Sequence, residues 1–230
     1  MDRSGGTRSR TRLVSEVTRD KVTVWDVPLR VWHWLFGAAI LTALATGLIE
    51  ELYDIDIHQW AGISVVSLLV FRLTWGIWGA TYARWTKYWT TPRKFLDHFL
   101  RKGELTPHTA PGIVLVLILM LGALVQSVTG LFMTDDIFFE GPLHDYADDT
   151  TFDWIYLIHH NAWRLVAVAV TVHLLAQLIY GAVLRDPTPL SMVTGQKHVA
   201  LPRVSTPWIR ALFSFALGIV TFALLTFLAD

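Results

Sequence analysis

The chain contains no cysteine. That excludes disulfides, thiolate metal sites, covalent haem attachment and cysteine-ligated iron–sulfur clusters. Positive charge is missing from two stretches. Seven of the 19 Lys and Arg residues lie in 1–30 and six in 81–110, with Arg185, Lys197, Arg203 and Arg210 later, Arg72 and Arg164 inside apolar runs, and none in 50–57 or 134–153. Those two stretches carry only acidic residues: Glu50, Glu51, Asp54 and Asp56, then Asp135, Asp136, Glu140, Asp145, Asp148, Asp149 and Asp153. Carboxylates are in turn nearly absent from the long apolar runs. The first 20 residues have no apolar core and no small-residue cleavage site, so no cleaved signal peptide is legible.

What is present is apolar length. Of 230 residues 53% are hydrophobic and 11 are Trp, with mean hydropathy +0.44. Five runs, roughly 30–49, 58–80, 111–133, 154–184 and 207–228, each reach the ~20 residues that cross about 30 Å of hydrocarbon. The expectation is an all-α membrane protein. The positive-inside rule sets the N-terminus and the 81–110 loop in the cytoplasm and turns both acidic loops outward. Five spans then leave Asp230 outside. Residues 1–21 read as a basic cytoplasmic tail that is solvated, the alternative being attraction of its arginines to anionic lipid. Residues 22–185 read as the main membrane domain, and 186–230 as a proline-containing linker with an additional span. Thr91-Pro92, the stripe Phe95, Leu96, Phe99 and Leu100, and Gly103 as a stop predict an interfacial amphipathic helix. Nothing suggests nucleic acid as a partner.

The histidines carry the chemistry. An ionisable side chain inside a span is costly and usually functional, and histidine is a standard axial ligand of haem iron. His159 and His173 are 14 residues apart. In a helix that is about 21 Å of rise and about −40° of rotation, so both point to one side. His160 is turned away from that face, towards a propionate, a backbone carbonyl or a helix neighbour. Span direction sets His33 and His173 near the inside and His58 and His159 near the outside. The expected pairs, His58 with His159 and His33 with His173, make two bis-histidine haem b sites stacked in a four-helix bundle, with the fifth helix outside it. A metal transporter is disfavoured, because it needs carboxylates beside the histidines.

Arg72 lies 14 residues after His58 and returns to the same face at the level of the inner pair. There a haem propionate or a quinone oxygen would answer its charge. Arg30 shares the face of His33, and Arg164 follows His159 by five. The alternative for all three is snorkelling to headgroups. His108, at the inner start of the third span, either touches quinone or sits at the interface. Gly47, Gly62, Gly76, Gly130 and Gly181 would let helices or a flat macrocycle approach closely, with helix packing the favoured reading for each. His98, His144 and His198 read as surface residues. The run from Asp135 to Pro142 is either a packed lid or docking surface, or a solvated loop with a Gly-Pro turn.

These residues form a familiar pattern. Val24-Trp25-Asp26-Val27-Pro28-Leu29-Arg30-Val31-Trp32-His33-Trp34 resembles the opening motif of the prokaryotic cytochrome b561 and nickel-iron hydrogenase cytochrome b family. His58-Gln59-Trp60-Ala61-Gly62, Phe71-Arg72-Leu73-Thr74-Trp75-Gly76, Thr129-Gly130-Leu131-Phe132, Asp135 to Pro142, His159-His160-Asn161 and His173 continue the resemblance in order over about 22–185. The formate dehydrogenase gamma subunit is similar in its ligand pattern. The resemblance implies a di-haem core exchanging electrons between an outer partner and quinone, with quinone near His33, His173, Arg72 and His108. It implies a hetero-oligomeric complex in a bacterial inner membrane. The expected partner is a periplasmic hydrogenase, dehydrogenase or c-type cytochrome docking on the acidic outer loops. No catalytic residue is nominated. A self-sufficient superoxide:quinone oxidoreductase is the alternative, and the acidic outer loops argue against an anionic substrate.

Overall fold

Polar residues just ahead of each apolar run decide where the helices begin. Asp26 caps α1 (Val27–Leu48), its carboxylate accepting from the Leu29 amide at 2.9 Å. Asp54 does the same for α2 (Ile55–Trp78), accepting from Ile57 at 2.9 Å. Thr109 caps α4 (Ala110–Gly130), and Asp148 caps α5 (Asp149–Leu178) through the Thr151 amide at 2.9 Å. Each cap satisfies an N–H with no acceptor in its own helix, so three spans start three to five residues earlier than hydropathy alone suggests. The short helix expected between the second and third spans is α3, Pro92–Phe99, and α5 continues as a π turn, Ile179–Val183. A short α6 (Ser191–Thr194) and α7 (Trp208–Ala229) complete the helices. The computed structural model describes residues 21–100, 109–135, 137, 139–198 and 202–229. His108, Gly103, Asp136, Asp230 and most of the basic tail lie outside the described residues, as do the side chains of His98 and His198.

The chain is all-α in its membrane part, with five helices long and apolar enough to span a bilayer. α1 packs along α2, α4 packs along α5, and α2 and α4 form the seam between the two pairs. Trp32, Phe36, Ile40, Val65, Leu69, Met120, Ala123 and Val166 are buried in one cluster along the seam. The outward faces are apolar and exposed, as at Ile77, Val168, Ile209 and Phe227. That is the distribution lipid demands, since no water covers those faces.

α7 packs tightly against α2. Ser67, Phe71 and Trp75 of α2 are buried, and so are Ala211, Ser214, Gly218 and Leu225 of α7. Phe71 stacks on Phe215 at 4.2 Å, and the Trp78 indole N–H donates to Ser214 Oγ at 2.9 Å. A Cβ on Gly218 would lie 2.9 Å from the Ser67 carbonyl oxygen. Small residues here let two backbones approach, which is how apolar helices associate in lipid.

The stretch after α5, read from sequence as a linker, is folded onto the start of the chain. β1 (Lys21–Thr23) pairs antiparallel with β2 (Gln196–His198), Val22 opposite Lys197. The Gly195 carbonyl accepts from the Val24 and Trp25 amides, and the Trp25 indole donates to Ser191 Oγ at 3.1 Å. Gly195 sits at φ +78°, where a side chain would be strained and would meet the Trp25 carbonyl. This seam fixes the entry of α1 and hence the angular position of His33.

Candidate functional site

Four half-buried histidines meet as two pairs. The ring centres of His33 on α1 and His173 on α5 are 6.2 Å apart. Those of His58 on α2 and His159 on α5 are 6.4 Å apart. With metal–imidazole bonds of about 2 Å, two imidazoles on opposite sides of one ion put their ring centres roughly 6.4 Å apart. Both pairs sit at that spacing. α5 makes no backbone packing with α1 or α2 comparable to its packing with α4. The histidines therefore face each other across the divide between the helix pairs. Among the described residues no group of three or more His, Cys, Asp or Glu forms a metal cluster.

Acceptors around the His58–His159 pair favour one tautomer. Thr46 Oγ donates its single proton to the Thr42 carbonyl at 2.8 Å, so it accepts from His58 Nδ1 at 3.2 Å. His159 Nδ1 lies 3.0 Å from the Gln126 carbonyl, which can only accept. Thr129 Oγ, already donating to Val125 at 2.7 Å, stands 3.3 Å from the same nitrogen. These acceptors favour the proton on Nδ1 in both rings, which leaves Nε2 as the atom that could bind a metal, the outer-shell arrangement typical of metal-bound histidine. The Gln126 amide nitrogen is 3.4 Å from His159 Nε2. Two glycines make room for these rings. A Cβ on Gly47 would come within 2.8 Å of His58 Cε1, and one on Gly130 within 2.9 Å of His159 Cε1. Gly62 has open space instead, Gly76 abuts Trp85 and Gly181 approaches Pro189 at 3.4 Å. At the His33–His173 pair, His33 Nδ1 is buried with no hydrogen-bond partner among the described residues.

His160 turns to its own helix, stacking on Tyr156 at 3.9 Å with Nδ1 donating to the Tyr156 carbonyl at 3.1 Å. Arg164 also folds back locally. Its Nη1 donates to Asn161 Oδ1 at 2.7 Å and to the His160 carbonyl at 3.1 Å. Arg30 Nη1 donates to the Val193 carbonyl, tying α1 to the strand seam. Arg72 is 1% exposed, and its guanidinium lies 4.0 Å over Trp85, 5.1 Å from Tyr88 and 5.6 Å from Trp32. Its two terminal nitrogens are buried without an acceptor. Nearby, burial pushes the Asp26 carboxyl above its usual range, an effect opposed by the Leu29 amide and the Arg72 charge. Burial raises the Tyr88 phenol as well, and Arg72 again opposes it.

Thr46 and Gln126 escaped sequence reasoning, as did the ring contacts of Gly47, Thr129 and Gly130. The signal was present as a repeated tripeptide. Thr46-Gly47-Leu48 and Thr129-Gly130-Leu131 end the first and third spans, and each supplies a hydroxyl and a gap to one outer histidine. His144, read as a surface residue, is half-buried and fastens the outer loop by contact with the Phe132 carbonyl at 3.2 Å. That loop closes on the end of α4 through Gly141 to Met133 at 2.7 Å and Leu143 to Leu131 at 2.8 Å. Asp135 accepts from the Ile137 and Phe139 amides within it.

The sequence model described as prokaryotic cytochrome b561 matches residues 24–195. The match ends at the strand seam, before α7. The chain is also similar to a protein of Rhizobium leguminosarum bv. viciae named as a probable Ni/Fe-hydrogenase B-type cytochrome subunit. The identity is 23% over 229 residues, covering 79% of this chain and 90% of the relative. No solved structure matches.

Proposed function

The chain belongs to the prokaryotic cytochrome b561 family, and from that premise we propose that it is a di-haem b-type cytochrome passing electrons between a periplasmic redox protein and the quinone pool. The family implies haem b. The observation that carries the reading is the pair of facing histidine couples at 6.2 and 6.4 Å. His58 and His159 would hold one haem near the outer surface, and His33 and His173 the other near the inner. Bound haem supplies one-electron exchange at iron. The chain's own work is placement. Thr46 and the Gln126 carbonyl orient the outer imidazoles, Gly47 and Gly130 keep their edges clear, and the strand seam sets His33.

At the inner level Arg72 offers a buried cation whose terminal donors lack acceptors. A propionate or quinone carbonyl would satisfy them, with His108 a further candidate for quinone. His160, Arg164 and Arg30 act on this reading through the helices they brace. Charge asymmetry supports an inner bacterial membrane with the N-terminus cytoplasmic and the C-terminus periplasmic. The relative's name supports a hydrogenase as partner in a hetero-oligomer, and the acidic outer loops suit a locally basic docking surface.

A pyridine haemochrome assay tests the core of the proposal. It should give about two haems per chain. His58→Ala and His159→Ala should each remove the same haem, His33→Ala and His173→Ala the other, and His160→Ala neither. One haem in the parent chain, or loss of the outer haem with His160→Ala, would overturn it.

A further inference from the structure

Where α2 ends against the start of α7, two arginines stand side by side. Arg84 Nε donates to the Gly79 carbonyl at 2.9 Å, and Arg210 Nη1 donates to the Trp78 carbonyl at 3.1 Å. Consecutive carbonyls at one helix end thus pin two guanidiniums and satisfy acceptors that have no donor in their own helix. A guanidinium has five N–H donors, so each arginine keeps most of its own free. Both line a cleft of about 460 Å³ with Thr81, Ser205 and Trp208. No carboxylate lines it, and among the described residues neither arginine has an ion-pair partner. The cleft runs into a second groove of about 570 Å³, which shares Arg84, Ile209 and Arg210 and is walled by Ile77, Trp78 and Phe213. Ile77, Ile209 and Phe213 are exposed on the lipid-facing side.

We propose that this cleft binds the phosphate of an acidic phospholipid, with an acyl chain along the Ile77–Phe213 groove. Three features select that ligand. Two fixed guanidiniums with no acidic neighbour match a net anion, whereas a zwitterionic headgroup brings a cation of its own. The hydroxyls and indole suit a headgroup at the membrane–water boundary. The adjoining apolar groove requires a ligand with a tail, which free phosphate lacks. The site lies on the side that charge assigns to the cytoplasm, where anionic lipid attracts basic residues. It tethers α7 to α2 through a lipid as well as through packing. The inference goes beyond the electron-transfer reading and does not depend on it.

The test uses the full-length protein, delipidated in detergent and titrated with dioleoylphosphatidylglycerol or dioleoylphosphatidylcholine, with bound lipid counted by native mass spectrometry. One phosphatidylglycerol should be retained in preference to phosphatidylcholine. Arg84→Gln with Arg210→Gln should weaken it about tenfold or more, the loss expected for charge-assisted hydrogen bonds. Arg210→Gln alone, an exposed position, should weaken it in the same direction if the double variant fails to fold. Arg84→Lys with Arg210→Lys should recover part of the affinity. Equal retention of phosphatidylcholine overturns the proposal, as does unchanged binding in either Gln variant. Displacement of the lipid by excess inorganic phosphate would make this a free-anion site and overturn the lipid assignment. Haem content serves as an independent readout and should not change.

Discussion

A single carbon atom separates Gly130 from a residue that would collide with His159. Gly130→Ala puts a Cβ 2.9 Å from His159 Cε1, and Gly47→Ala puts one 2.8 Å from His58 Cε1. Both contacts are tighter than ordinary packing and fall on rings locked by hydrogen bonds, which cannot yield. Each substitution should therefore reduce haem per chain from about two to about one. Pyridine haemochrome titration of both variants makes the comparison, and two haems retained in each would remove the steric argument. Thr46→Val keeps volume but deletes the acceptor for His58 Nδ1. Outer-shell losses of this kind typically cost 10- to 100-fold in affinity, so haem should leave this variant faster during chelation by excess apomyoglobin.

At the scale of elements, part of the outer acidity is helix chemistry. Asp54 and Asp148 each cap a span that starts at the acidic face, where the helix dipole also favours negative charge. Asp148→Ala should lower the unfolding temperature, while Asp148→Asn, an equally good cap, should cost little. Thermal unfolding in detergent distinguishes them. The same logic applies to α7. Gly218→Leu must push its backbone away from Ser67 and should destabilise the chain by about 1–3 kcal/mol through overpacking. Haem content should be kept, because the Gly218 contact falls on Ser67 and Phe71 of α2 and touches none of the four paired histidines. Haem loss in this variant would show that α7 supports the core directly.

Charge is segregated along the whole chain, with eleven carboxylates in the two stretches that lack Lys and Arg. Neutralising Asp145, Asp148 and Asp149 with Asn preserves the Asp148 cap and removes three charges. Reduction by a basic periplasmic partner should slow at low salt and lose most of its salt dependence, with haem content unchanged. Unchanged reduction would exclude those carboxylates from docking. Orientation has its own check in a chain without cysteine. A Cys at Asp145 should react with an impermeant maleimide on intact cells, and a Cys at Thr86 should not. The reverse pattern would invert the topology.

Composition and spacing alone determined five spans, the charge polarity and the choice of His159 over His160 as the residue facing His58. These follow from the 3.6-residue period and the cost of charge in hydrocarbon, which act on any segment whatever its neighbours. Even so, spans called from apolar content began too late, because a polar cap belongs to the helix but not to the apolar run. The tertiary structure decided everything that depends on which helix lies beside which. Thr46 and Thr129 gain a role only where α1 and α4 bring them against histidines of other helices. Residues 191–198 read as a linker until Gly195 meets Trp25. α7 read as an appendage until Gly218 and Ser214 closed on α2. Hydrophobicity separates lipid from water, but it does not distinguish one apolar face from another. Only the fit of small residues, hydroxyls and ring edges across helices makes that choice.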